Sequence, residues 1–207
     1  MKTLEEVLRQ SAAGHKQQCP RQVLGARMGM LAGRLFDLDL PQTDKRLLAI
    51  VETDGCAAGS IAAATGCSVD RRTMRIEDIG KVAATFVDTA TGRAVRIVPR
   101  LESRTLARRF APDARDRWQA QLLGYQRMPD DLLFAWEWVE LAIRLEDIIG
   151  RAGLRVICKL CQEEVINGRE VVRDGVALCR SCAGNSYYRR LFLPSLPECR
   201  PANSRAC

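Results

Sequence analysis

The chain has 207 residues, 47% of them hydrophobic and 28% charged, with 32 Lys+Arg against 25 Asp+Glu and a net charge of +7. This composition excludes disorder over most of the chain, because there is enough apolar material for a core. No run of 18 apolar residues occurs, so a membrane-spanning helix is not expected, and the charged amphipathic start MKTLEEVLRQ is unlike a signal peptide. The expectation is a cytoplasmic protein whose nine cysteines act as ligands or reactive groups rather than as disulfides.

Thr3 and Glu6 have the spacing of a capping box, which predicts an amphipathic helix over 3–14. The break HKQQCP follows. Pro20 suits the first turn of a second helix reaching about Leu38, in which Gly25, Gly29 and Gly33 recur at every fourth position. Glycine weakens a helix, so this spacing implies close approach by another element. Leu47–Val51 reads as a buried strand, ETDGC as a strand-to-helix turn and AAGSIAAATG as a short helix. Two strands are expected at Lys81–Asp88 and Arg93–Val98, then helix over 101–127 broken near Ala111–Pro112. AWEWVELAI suits strand or helix, with Trp136 and Trp138 favouring strand. The expected organisation is an α+β domain over 1–150, with N-terminal helices packed on a small mixed sheet. A zinc ribbon over 151–192 and a flexible tail over 193–207 complete it.

Cys158, Cys161, Cys179 and Cys182 form C-x2-C-x17-C-x2-C. Two such knuckles supply four thiolates for tetrahedral Zn²⁺, with no position left for substrate. The site therefore reads as a structural zinc. The intervening VINGREVVRDGVAL reads as one hairpin, with Asn167–Gly168 and Asp174–Gly175 as turn signals. Cys199 and Cys207 lie in the tail without a partner pattern.

In the first domain, His15 and Cys19 are four residues apart, Cys56 opens a helix and Cys67 closes the same segment. These residue types suit a soft or borderline metal, a second ion whose identity spacing does not fix. The alternative is an ordinary hydrogen-bonded histidine and buried core cysteines. Glu52, Asp54 and Lys81 are further polar candidates near this cluster.

Several of these segments resemble the FmdE family, named after one of the subunits of formylmethanofuran dehydrogenase. The family's H-G-H-x-C-P-G and L-G-x-R-M correspond to His15-Lys-Gln-Gln-Cys19-Pro20-Arg21 and Leu24-Gly25-Ala26-Arg27-Met28. Its V-E-T-D-G-C matches Val51 to Cys56, its T-G-C-T matches Thr65 to Ser68, and its D-Y-G-K-x-A-F-T-F matches Asp78 to Phe86. Gln17 stands where the motif has its second histidine, and Lys16 and Arg21 replace motif glycines. The resemblance implies an α+β core, a metal pocket inherited by His15 and Cys19 with Cys56 and Cys67 around it, and a C-terminal ribbon. It also implies a subunit-like or accessory role beside a molybdenum or tungsten formylmethanofuran dehydrogenase-type enzyme.

Two other functions compete. One is a stand-alone metal-dependent enzyme using the His15/Cys19 pocket, with Glu52, Asp54 or Lys81 moving protons. The other is a zinc-ribbon regulator binding nucleic acid or RNA polymerase. The basic residues are dispersed and four ribbon thiolates offset part of the charge, which argues against nucleic acid. The Gly-spaced helix and the segment 134–138 offer apolar surface for a homodimer.

Overall fold

A computed structural model describes residues 2–13, 17–149 and 153–189. The chain forms two compact units, Met1–Ile149 and Gly150–Cys207. His15, Cys199, Cys207 and the expected tail lie outside the described residues. Among the described residues no helix is long and apolar enough to cross a membrane.

In the first unit, α1 (Leu4–Ser11) opens on the capping box. The Thr3 backbone N–H donates to Glu6 Oε2 at 2.7 Å, and the Glu6 N–H donates to Thr3 Oγ1 at 3.2 Å. α2 (Pro20–Phe36) starts on proline and stops at Asp37, which takes the left-handed conformation at φ 54°. β1 (Leu47–Val51) is buried almost throughout, as its unbroken apolar run requires. α3 (Cys56–Thr65) follows directly.

The sheet is completed by β2 (Met74–Ile76), β3 (Ala84–Asp88), β4 (Ala94–Pro99) and β5 (Phe134–Val139), in the order β2-β1-β3-β4-β5. β1 and β2 are parallel and the other pairs antiparallel, so the sheet is mixed. Between β4 and β5 lie α4 (Ser103–Phe110), α5 (Arg117–Arg127) and the single turn α6 (Asp130–Leu133), and α7 (Leu145–Ile149) follows β5. Ala49, Val51, Phe86, Val95 and Ile97 pack with Val23, Met28 and Leu31 of α2 in the main core. Leu48, Val87 and Ala94 meet Ile148 of α7 in a smaller cluster. The α+β class, with helices on a small mixed sheet, stands as the sequence indicates.

The glycine stripe is used within the unit. A Cβ at Gly25 would lie 2.3 Å from the Ala57 carbonyl oxygen, and one at Gly29 would lie 2.7 Å from Ala64 Cβ. Gly33 faces Leu38 and Leu40. The stripe therefore seats α3, and this part of the expected dimer surface is already covered. Because both contacts advance in the same direction, α2 and α3 run parallel. AWEWV is strand, with Trp136 and Trp138 on the face that holds Ile97 and Val95. The Trp138 ring packs edge-on to Phe36, with centroids 5.6 Å apart. The expected strand at Lys81–Asp88 begins three residues late. Lys81 and Ala83 instead make backbone bonds with Glu52, at 3.1 and 3.0 Å.

In the second unit, β6 (Arg155–Ile157) pairs with β7 (Glu164–Ile166), and β8 (Val171–Arg173) pairs with β9 (Val176–Leu178), both antiparallel. The hairpin expected between the knuckles is β8–β9, and a second hairpin, β6–β7, straddles the first knuckle. Asp174–Gly175, both with positive φ, closes β8–β9. Asn167–Gly168 turns the chain after β7, which pairs backwards across the first knuckle.

Candidate metal centres

The parallel packing of α2 and α3 brings their N-termini to the same end. Cys19 is the residue before α2 and Cys56 the first residue of α3; both are half-buried. Gln22 Oε1 accepts from the Cys19 backbone N–H at 2.7 Å, and its Nε2 donates to the Ser11 carbonyl at 3.2 Å, tying this corner to α1. The Cys19 thiol is a neighbour of the Cys56 thiol. Burial and that thiol push Cys56 up from its ordinary value, while the Arg21 charge opposes them.

The structure does not add Cys67 to this pair. It follows α3 at the far end, about 16 Å along the helix at 1.5 Å per residue. Its thiol is 2% exposed and donates to the Leu47 carbonyl at 3.3 Å. Burial raises it. It also lines a cavity of about 570 Å³ with Gln10, Gly59, Ala62 and Arg71, a separate feature beside α3.

Glu52 is buried at the end of β1. Its carboxylate accepts from Arg96 Nε at 2.6 Å and Nη2 at 2.8 Å, and that hydrogen-bonded pairing raises Arg96. Asp54 and Lys81 are both exposed. Two residues of structural weight escaped the sequence reading, Arg96 and Arg27. Arg27 sits in the quoted L-G-x-R-M segment. Its guanidinium donates to the Tyr125 carbonyl at 2.7 Å, to the Met128 carbonyl and to Asp130 Oδ1 at 2.5 Å, joining α2 to the end of α5. The available signal is its place among the apolar residues Leu24, Ala26, Met28 and Leu31 of α2, whereas Arg21 and Arg34 of the same helix are exposed.

In the second unit the Sγ atoms of Cys158, Cys161, Cys179 and Cys182 all lie within 4.8 Å of one another. A regular tetrahedron of sulfurs about 2.3 Å from a metal has edges of about 3.8 Å. The Cys161 and Cys179 sulfurs are 3.8 Å apart. The donor set therefore fits a four-coordinate soft or borderline ion. Cys158 and Cys161 sit in the turn between β6 and β7, where the Cys158 N–H donates to Glu163 O at 2.9 Å. Cys179 and Cys182 follow β9, and the Cys182 N–H points at Cys179 Sγ at 3.4 Å. Backbone N–H groups of Cys161 and Cys179 lower the Cys158 thiol to about 6. Contact with the Cys179 thiol lifts Cys182 to about 12. Apart from the cysteines, the buried core of this unit among the described residues is Leu178 and Ala183.

Among the described residues this is the one cluster of three or more such ligands. At the α2–α3 end the described residues supply two thiols. His15, the other expected ligand, lies outside the described residues.

Residues 14–135 match the family described as "FmdE, Molybdenum formylmethanofuran dehydrogenase operon". A protein of Archaeoglobus fulgidus named "Probable S-adenosyl-L-methionine-binding protein" is 28% identical over 205 residues, covering 89% of this chain and 54% of that protein. The chain thus spans about half the length of this relative. The crystal structure of an FmdE-like protein of the tungsten formylmethanofuran dehydrogenase type, from Syntrophus aciditrophicus, superposes with a TM-score of 0.58. Its identity is 23%, with 91% of this chain and 96% of that chain covered. At that identity the likeness supports the fold. With its motifs in order and more than half of its length matched, the chain belongs to the FmdE family.

Proposed function

We propose that this protein is a metal-binding subunit or accessory of a molybdenum- or tungsten-dependent formylmethanofuran dehydrogenase-type enzyme. The observation that carries the reading is the placing of Cys19 just before α2 and of Cys56 at the start of the parallel helix α3, inside the segment that matches the family. Two thiolates and the His15 imidazole would make three protein ligands and leave a position open on the ion. The bound ion would act as a Lewis acid toward an oxygen ligand. The chain's own residues hold the thiols at fixed helix ends and set Arg21 beside Cys56. The four-cysteine cluster takes Zn²⁺ and holds the second unit together. The domain limits follow the sequence expectation: an FmdE-like domain over 1–150, a ribbon over 151–192 and a tail over 193–207.

A homodimer belongs to the same reading. Among the described residues β5 is an edge strand, paired within the sheet to β4 alone, and carries Trp136 at 38% and Trp138 at 48% exposure. An edge with exposed aromatic residues suits pairing with a second copy.

The test is elemental analysis of full-length protein beside the Cys19→Ser/Cys56→Ser double variant. Two equivalents of metal in the first and one in the second are expected. One equivalent in both would remove the cleft metal. Co-purification with a purified molybdenum or tungsten formylmethanofuran dehydrogenase tests the partner, and separate elution of the two would overturn the accessory role.

A further inference from the structure

We propose that the cavity beside α3 binds a small zwitterion, an α-amino acid with an apolar side chain. The site is independent of the cleft metal and of the ribbon, because it uses none of their thiols.

The cavity comes first. Its volume is about 570 Å³, within the range of about 300–1,000 Å³ usual for small-molecule sites. Four segments of the first unit line it: α1 with the residues before it, the loop after α2, the C-terminal half of α3 and the loop after α3. Pro41, Ala62 and Ala63 give it an apolar wall. Gly59 continues that wall along α3. It is exposed, and a Cβ built on it meets nothing within 4 Å, so the cavity is open there. At Gly66 a Cβ would lie 2.2 Å from the Gln42 carbonyl oxygen, so backbone packing closes that end.

Charge comes second. The lining holds two cations, Lys2 and Arg71, and one carboxylate, Asp70. Lys2 Nζ donates to the neutral Gln10 Oε1 at 2.6 Å, and Gln10 lies on the same lining. Among the described residues neither cation has a carboxylate oxygen within 4 Å. Both are left to pair with the carboxylate of a ligand, Arg71 as a two-donor fork.

The end of α3 comes third. The last carbonyls of a helix lack intrahelical donors. Here the Ala62 carbonyl accepts from the Gly66 N–H at 2.8 Å, and the Thr65 carbonyl accepts from the Gln42 N–H at 3.0 Å. Among the described residues no N–H reaches the Ala63 carbonyl, and Ala63 is on the lining. A helix C-terminus favours positive charge, and Asp70 adds a formal negative one. A ligand ammonium answers both. A simple anion would leave Asp70 and the helix end unmatched, and a simple cation would meet Lys2 and Arg71. Both signs beside an apolar wall fit an ammonium and a carboxylate on one short carbon frame.

Calorimetric titration of the full-length protein with L-leucine, L-methionine and L-phenylalanine tests the site. One-to-one, saturable binding of at least one of them is expected. For the tightest, the analogues lacking the ammonium or the carboxylate should each bind about tenfold more weakly or worse, as loss of a hydrogen-bonded charge implies. For L-phenylalanine these are 3-phenylpropanoate and 2-phenylethylamine. Asp70→Asn and Arg71→Gln, both at exposed positions, should weaken binding about as much with the melting temperature unchanged. Gly59→Leu puts a side chain into the open space and should abolish binding. The inference is overturned by absence of binding for all of the amino acids at millimolar concentration. An analogue with one charge that binds as tightly as its parent also overturns it, as does wild-type affinity in Gly59→Leu.

Discussion

Gly25 lies so close to Ala57 that an added Cβ would sit 2.3 Å from the Ala57 carbonyl oxygen and 2.9 Å from its Cα. Both obstacles are backbone, so neither can rotate away. The contact sets the depth at which α3 packs on α2, and thereby the separation of Cys19 from Cys56.

Gly25→Ala should therefore force the helices apart and cost about 1–3 kcal/mol, the usual range for overpacking. Gly59 supplies the control. It lies within α3, is exposed, and has nothing within 4 Å of a built Cβ. Gly59→Ala should stabilise by about 0.5–1 kcal/mol through helix propensity. Urea unfolding of the two variants checks the pair. Equal effects would show that α2–α3 packing is looser than these contacts require.

The fold was legible where local chemistry and tertiary demand agree. Thr3 and Glu6 announce a cap, Pro20 a helix start, and LLAIV a buried strand. The Gly25 and Gly29 spacing announced close approach but not the partner, because a stripe of small residues fits a helix of the same chain as well as a second copy. The three-residue strand β2 gave no period to count. At the site, spacing placed Cys56 and Cys67 on one segment but could not show that a helix holds them at opposite ends. The Glu52–Arg96 pair joins strands 44 residues apart in sequence, a distance at which no local pattern operates. The ribbon was readable because both knuckles are local, whereas the pairing of β7 backwards onto β6 across the first knuckle is a choice the local pattern does not make.

Arg27 offers a test of a motif residue whose work is structural. Its side chain is 13% exposed and its partners are two backbone carbonyls and Asp130, itself shared with Arg34. Arg27→Met leaves those carbonyls short of a donor and should cost about 2–3 kcal/mol. Arg27→Lys keeps the charge but not the fork, and should fall between wild type and Arg27→Met. Metal content per folded molecule should stay unchanged in both. A loss of cleft metal at unchanged stability would instead place Arg27 in the site.

The α1 cap should carry a pH signature. The Thr3 backbone N–H bonded to Glu6 holds its carboxyl below its ordinary 4.5. A lowered folded value means that the ionised cap stabilises fully above the unfolded value. The gain is then lost as pH falls through the folded one. The difference in melting temperature between wild type and Glu6→Gln should therefore be constant above about pH 5 and shrink in more acidic buffer. A difference that grows on acidification would contradict the capping assignment.

Metal removal should unfold the second unit and leave the first folded. Leu178 and Ala183 are too small a core to hold two three-residue hairpins. Chelation, or Cys161→Ser, should abolish amide protection over 155–178, while α2 and β1 keep theirs; hydrogen exchange read by mass spectrometry reports both at once. Metal and protons compete for the sulfurs. The metal-free unit is unfolded, so its cysteines sit near the ordinary thiol value of about 8.5 and carry their protons at neutral pH. Binding of Zn²⁺ must therefore displace about four protons, and affinity should weaken as the medium is acidified. Calorimetric titration with Zn²⁺ at pH 7 in buffers of different ionisation enthalpy should record that count. A release of two protons or fewer would contradict ligation by four thiolates.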